Sequence, residues 1–247
     1  MRPKQSQEKY GSSSRLAGTL FIVGVPIGHP DDLTIRALAG LRSVHLIVTK
    51  SPSATQALLA HHGVRTALTT YDRVNAAEKT PVLLARLKHG THIALVSDCG
   101  MPVIYDPGRI LINAATAAHI PIEVIPGPSA VATAAAIAGM DGNAFVFEGR
   151  CTGSSRDLAR RLDLLKTERR TLIFFPPARA LRRILTLVLR IFGNRHVVVA
   201  IDLTHQTERI VRGRVQDVLT SDPFQDGILQ VTLVVEGRQT GERRHRA

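Results

Sequence analysis

Short apolar runs alternate with helix-patterned segments along the first half of this 247-residue chain. That alternation constrains the fold more than any single motif does. Residues 19–25, 44–49, 93–97 and 120–125 read as strands, and most of these runs are apolar nearly throughout rather than at every second position. Helical segments lie between them. One is opened by Asp31 and Asp32 and runs to Leu41, and another spans residues 53–62 and stops at Gly63. A third covers residues 75–88, with Pro81 expected to bend or restart it. Ile110, Leu111, Ala114, Ala115 and Ala118 mark one face of a fourth, and an Ala-rich helix ends at Gly139. Apolar strands separated by helices belong to a parallel sheet covered on both faces.

The pattern changes near residues 141–149. Beyond it come a basic helix (155–166), a strand (171–175), a helix (180–191) and strands at 197–203, 208–212 and 228–236. Several strands with little helix between them suggest a mixed sheet. The expected organisation is therefore two α/β domains, residues 18–141 with a parallel sheet and residues 142–237 with a mixed one. The polar arm (1–17) and the basic tail (238–247) are expected to be disordered.

The stretch Leu95-Val96-Ser97-Asp98-Cys99-Gly100-Met101-Pro102-Val103-Ile104-Tyr105-Asp106-Pro107-Gly108 leaves the third of these strands. A parallel sheet binds ligands beyond the carboxyl ends of its strands, where this loop falls. Gly100 permits close backbone approach, Pro102 and Pro107 hold the loop, and Asp98 can accept hydrogen bonds from a ligand. The other reading is a turn in which Asp106 caps the next helix.

The formal net charge of +12 points to an anionic partner. Between Arg150 and Arg195 stand eleven Arg and one Lys against Asp157, Asp163 and Glu168. Arg in excess over Lys suits phosphate, which its planar fork binds bidentately. Arg160, Arg161, Arg182 and Arg183 are the candidate RNA contacts, with a solvated helix face as the alternative. Cys99 and Cys151 have neither metal nor disulfide spacing, which fits a reducing cytoplasm. No signal peptide or membrane span is expected, since the richest apolar region is broken by Pro121, Pro126, Pro128, His119 and Glu123. The ten His are scattered, so no metal site is expected. Both G-x-x-x-x-G-K-[ST] and G-x-G-x-x-G are missing, and Ser129 lacks the flanking glycines of a nucleophile elbow.

Three loops at strand ends, in order, are Pro26-Ile27-Gly28, then V-S-D-x-G-x-P-x-I-x-D-P-G from Val96, then Pro126-Gly127-Pro128-Ser129-Ala130. With Phe147-Glu148-Gly149, residues 171–175 and Val234-Val235-Glu236-Gly237, this order resembles the tetrapyrrole methylase superfamily. Within it, the chain is most similar to the branch that methylates the 2′-hydroxyl of a decoding-centre cytidine in small-subunit ribosomal RNA. The resemblance implies a homodimer with S-adenosylmethionine in a cleft between two α/β domains. It assigns cofactor contacts to Pro26, Asp98, Met101, Ser129, Ala130 and Phe175.

The sequence departs from that branch where substrate should lie. Lys50-Ser51-Pro52-Ser53 stands for Glu-Asp-Thr-Arg, and Tyr71-Asp72-Arg73-Val74-Asn75 for Tyr-His-Glu-His-Asn. Pro176-Pro177-Ala178-Arg179 replaces Glu-Ser-Pro-His. Lys50 and Asp72 are the matched positions that retain groups able to assist a ribose hydroxyl, and surface charge is their alternative reading. Beside RNA methylation stand two other readings: methylation of a tetrapyrrole or other small molecule, and a catalytically weak binding protein that keeps the fold.

Overall fold

Five strands build the first sheet: β1 (Leu20–Val23), β2 (Leu46–Thr49), β3 (Leu68–Thr70), β4 (Ile93–Leu95) and β5 (Ile122–Ile125). The computed structural model describes residues 17–221 and 227–239. The strand order is β3-β2-β4-β1-β5, and every pairing is parallel. Helices α1 (Ile35–Ser43) and α2 (Pro52–His61) cover one face, where Ala37, Leu41 and Leu59 meet Val23, Ile47 and Ala94. Helices α3 (Ala76–Lys88) and α4 (Arg109–Ala117) cover the other, where Leu83, Leu87, Leu111 and Ala115 meet Leu20, Val48, Ile93 and Leu95. The helix after β1 thus goes to one face and the helix after β4 to the other. The two strands are neighbours, so the loops leaving them diverge and open a crevice at their carboxyl ends.

The second sheet has the order β6-β7-β10-β8-β9, from β6 (Phe145–Arg150), β7 (Thr171–Phe175), β8 (His196–Ile201), β9 (Arg209–Arg214) and β10 (Val231–Val235). Only β6 and β7 pair in parallel, so the sheet is mixed, as read from the strand-rich second half. Val231, Leu233 and Val235 point to a core shared with α6 (Ser155–Leu165), α7 (Leu181–Phe192) and α8 (Val215–Ser221). Val234 points the other way, into a cluster with Val131, Ala134 and Ala138 of α5 (Ala130–Ala138) and with Ile27. Helix α5 follows the last strand of the first sheet yet buries its apolar face against the second. It is the hinge of the architecture.

Local details depart from the sequence reading in instructive ways. Residues Pro30–Asp32 form a separate 3-10 turn, and α1 starts later, with the Thr34 Oγ1 accepting from the Ala37 amide at 3.1 Å. Asp31 does not cap α1; its Oδ1 is 2.8 Å from His61 Nε2. Pro81 lies inside an uninterrupted α3, and the Thr80 hydroxyl donates to the Ala76 carbonyl at 2.6 Å. Packing of Leu83 and Leu87 holds that helix through the lost backbone bond. β3, β6 and α8 were not read as elements, and β3 is a half-buried strand of three residues. Of the expected arm (1–17) and tail (238–247), residues 1–16 and 240–247 lie outside the described residues, whereas Arg238 is tied to the fold, its amide donating to the Glu168 carbonyl at 2.6 Å. Among those described, no helix is long and apolar enough to cross a membrane.

The loops leaving β1 and β5 cross at Gly24 and Gly127. A Cβ on Gly127 would stand 2.8–2.9 Å from the backbone of Gly24, closer than real Cβ contacts come. Gly127→Ala should therefore force the loops apart and lower stability by about 1–3 kcal/mol. The check is a urea midpoint that falls at unchanged slope; an unmoved midpoint would show that the crossing tolerates a methyl.

Candidate functional site

Backbone sets the floor of the crevice. Val25 and Gly100 exchange two hydrogen bonds, of 3.0 and 3.1 Å, pinning the loop after β1 to the loop after β4. Gly100 sits at φ +72°, a conformation that favours glycine. Buried Ser97 donates to the carbonyls of Cys99 and Gly100, both at 3.1 Å, and so shapes the turn that presents Asp98. Over this floor lies a cleft of about 630 Å³. The first domain contributes Ile27, Lys50, Asp98, Met101, Tyr105 and Asp106, and the start of α5 contributes Ser129 and Ala130. The second domain contributes Arg150, Phe175, Arg179, Gln230 and Thr232.

Asp98 is the polar centre. Its Oδ2 lies 3.2 Å from Lys50 Nζ, while its Oδ1 is buried without a hydrogen-bond partner. An unpaired buried carboxylate oxygen costs free energy unless a ligand donor meets it. Phe175 packs edge-on against Phe147, with ring centroids 4.9 Å apart, and forms an apolar wall opposite. An acceptor without a partner, a floor of glycines and a small side chain at Ala130 fit a nucleoside-bearing cofactor such as S-adenosylmethionine. Asp98 would take a donor group of it, and the wall formed with Phe175 its apolar parts.

The expected contacts divide as follows. Asp98, Met101, Ser129, Ala130 and Phe175 line the cleft. Pro26 is buried just beneath it, its carbonyl accepting from the Gly100 amide at 3.3 Å, and the neighbouring Ile27 faces the space instead. Lys50 lines the cleft, 3.8 Å from Asp106 Oδ1. Asp72 does not; its Oδ1 accepts from the amides of Val74 and Asn75 at the start of α3. Arg160, Arg182 and Arg183 line a broad groove between α6 and α7, together with Arg156, Arg179 and Arg190. Arg161 turns away to Glu148, bonding its Oε2 at 3.2 Å and its carbonyl at 2.8 Å. Arg179 borders both the groove and the cleft, so the two are neighbours.

Tyr105, Arg150, Gln230 and Thr232 were not singled out from sequence. Gln230 and Thr232 enter from the start of β10, a position with no local signature. Asp31, His61 and His62 also gather, with ligand atoms within 4.8 Å of one another, where the sequence showed only scattered histidines. They lie outside the cleft lining.

Burial pushes the Asp106 carboxyl above the ordinary aspartate value, and Asp98 adds to this; Lys50, Arg150 and Arg73 pull it down, and burial prevails. A carboxyl raised on folding contributes stability that is full below its unfolded pKa and is lost as pH rises through the folded one. Asp106→Asn keeps a neutral group at all pH values. The variant should unfold at higher urea than the parent at pH 7, and the gap should close as pH falls below about 4. A variant weaker than the parent at pH 7 would mean that the Lys50 contact outweighs burial.

Residues 19–219 match the family of Tetrapyrrole (Corrin/Porphyrin) Methylases. The chain is 35% identical over 222 residues to "Ribosomal RNA small subunit methyltransferase I" of Thermotoga maritima, covering 90% of this chain and 100% of that one. The protein of the same name from Escherichia coli O157:H7 is 35% identical over 240 residues, with 95% and 83% covered. Among solved structures, the methyltransferase CobJ superposes with a TM-score of 0.67 at 22% identity, covering 91% and 98%. A uroporphyrin-III-C-methyltransferase from Thermus thermophilus gives 0.63 at 22%, covering 89% and 94%. These solved structures share the fold: a parallel α/β domain joined to a mixed one. With its three strand-end loops gathered in one cleft and residues 19–219 matched by the family, this chain belongs to the tetrapyrrole methylase family.

Proposed function

We propose that this protein transfers a methyl group from S-adenosylmethionine to the 2′-hydroxyl of a cytidine in small-subunit ribosomal RNA, acting as a homodimer in the cytoplasm. The observation that carries the reading is a cofactor-sized cleft, with an unpartnered Asp98 oxygen, that adjoins an arginine-lined groove at Arg179. A tetrapyrrole carboxylate would also welcome arginine. A groove extended along two helices matches a polyanionic strand better than a compact molecule. The names of the relatives at 35% identity support the same choice.

The cofactor, when bound, supplies an electrophilic methyl on sulfur. The chain's part is to hold the nucleophile in line, since positioning accounts for most of the rate in a displacement of this kind. Asp98 and the N-terminal turn of α5 orient the cofactor, and Phe175 excludes water from one side. A ribose hydroxyl needs to lose its proton. In this reading Lys50 stabilises the alkoxide and Asp106, 3.8 Å from it and raised by burial, accepts the proton. Asp72 serves the backbone of α3 instead.

The test incubates the purified protein and methyl-labelled cofactor with bare small ribosomal subunits, total RNA, or a tetrapyrrole polycarboxylate. Label should enter RNA from the small subunit as a 2′-O-methylcytidine resistant to alkaline cleavage; label in the tetrapyrrole alone, or none, would overturn the proposal. Ala130→Trp should fill the cleft and abolish saturable cofactor binding in calorimetry. Persistence of parental affinity in that variant would remove the cofactor from this cleft.

A further inference from the structure

Tyr105 stands at the mouth of the cleft with two guanidinium groups over its ring. The Arg73 Cζ is 5.4 Å from the ring centre and the Arg150 Cζ 5.3 Å. The three residues come from separate segments. Arg73 lies between β3 and α3, Tyr105 in the loop after β4, and Arg150 at the end of β6 in the second domain.

Several features maintain this arrangement. Tyr105 has φ +67°, a costly backbone conformation for a bulky residue, of the kind held where the surroundings enforce it. Gly149 leaves room for the ring, since a Cβ there would stand 3.3 Å from Tyr105 Cδ2. Arg150 and Tyr105 both line the cleft. Two like charges are thus gathered at one aromatic ring; of the nearby carboxylates, Asp106 feels both guanidiniums and is shared with Lys50, and none forms a salt bridge to Arg73 or Arg150 among the described residues. Lys50 lies 3.2 Å from Asp98 and 3.8 Å from Asp106, and Arg161 holds Glu148. One Arg73 N–H is used at the site, Nη2 donating to the Tyr105 carbonyl at 3.5 Å, and a guanidinium over a ring keeps its other N–H groups for an oxyanion.

We propose that Arg73 and Arg150, gathered at Tyr105, form a phosphodiester-binding subsite that seats the RNA backbone beside the reacting ribose. This rests on the reading of the cleft as an RNA methylation site. It makes Arg73 and Arg150 positioning residues, acting through the placement of the strand rather than on the reacting atoms.

The probe is small-subunit ribosomal RNA stripped of protein, with binding measured across salt concentration. Each phosphate contact to a single strand adds about 0.7 to the slope of log affinity against log salt. Arg73→Gln with Arg150→Gln should flatten the slope by roughly 1.4 on the same count, and raise KM for RNA more than it lowers kcat. Tyr105→Ala should raise KM while keeping the slope nearer the parent's, because the charges remain and only their placement is lost. Tyr105→Phe, which keeps the ring, should bring the KM raised in Tyr105→Ala back toward the parent's. An unchanged slope in the double variant, with the parent showing normal salt-dependent binding, would overturn the subsite and leave the methylation reading standing. A parent that shows no salt-dependent RNA binding would overturn both.

Discussion

The pair of hydrogen bonds between Val25 and Gly100 is the contact on which the site depends. β1 and β4 send their helices to opposite faces of the sheet, and the loops leaving them would otherwise diverge. Tied by backbone, they form a floor in which Val25 turns its side chain into the core and Gly100 has none, which lets a ligand approach closely. Gly24 and Gly127 extend the same device to the loop after β5, where two backbones cross within the space of a missing Cβ.

The second domain closes over that floor because α5 belongs to both halves. Its N-terminal turn, with Ser129 accepting from the Ala132 amide, faces the cleft, while Val131, Ala134 and Ala138 bury against β7, β8 and β10. The helix therefore fixes the walls of the second domain relative to the floor of the first. Phe175, Arg150 and Thr232 reach the cleft through that packing. Charge then grades outward. Asp98 and Asp106 lie inside with Lys50, Arg73 and Arg150 stand at the mouth, and the α6–α7 groove beyond them is lined with arginine.

Much of the fold was legible because burial on both faces writes itself into local sequence. β2 and β4 are buried at every residue and appear as uninterrupted apolar runs. β3 is only half-buried, and two of its three residues are threonines, so no such signature marks it. The start of α1 was misplaced because Asp31 and Asp32 have the chemistry of helix caps. Asp31 meets His61, thirty positions away, and Thr34 does the capping. In the cleft, Asp98 was read from its loop, whereas Met101, Ser129, Ala130 and Phe175 came from the family resemblance; all five line it. Asp72 carries the same functional group as Asp98, and only the fold tells that its oxygen is used by backbone amides.

The sequence by itself determined the strand and helix succession, the change from a parallel to a mixed sheet, the excess of arginine in the second half and the order of the three loops. Each is written in neighbouring residues, through periodicity, glycine and proline, or net charge. Tertiary structure alone decided which arginines face the groove and which, like Arg161, are held by the protein's own carbonyls and carboxylates. It also decided that Lys50 and Asp106 meet Asp98, that Tyr105 gathers Arg73 and Arg150, and that Gln230 and Thr232 reach the cleft from the far end of the chain. The physical reason is distance along the chain. Local sequence governs the backbone within a few residues, whereas an ion pair or a cleft is made between segments that only the packing of two sheets around α5 brings together.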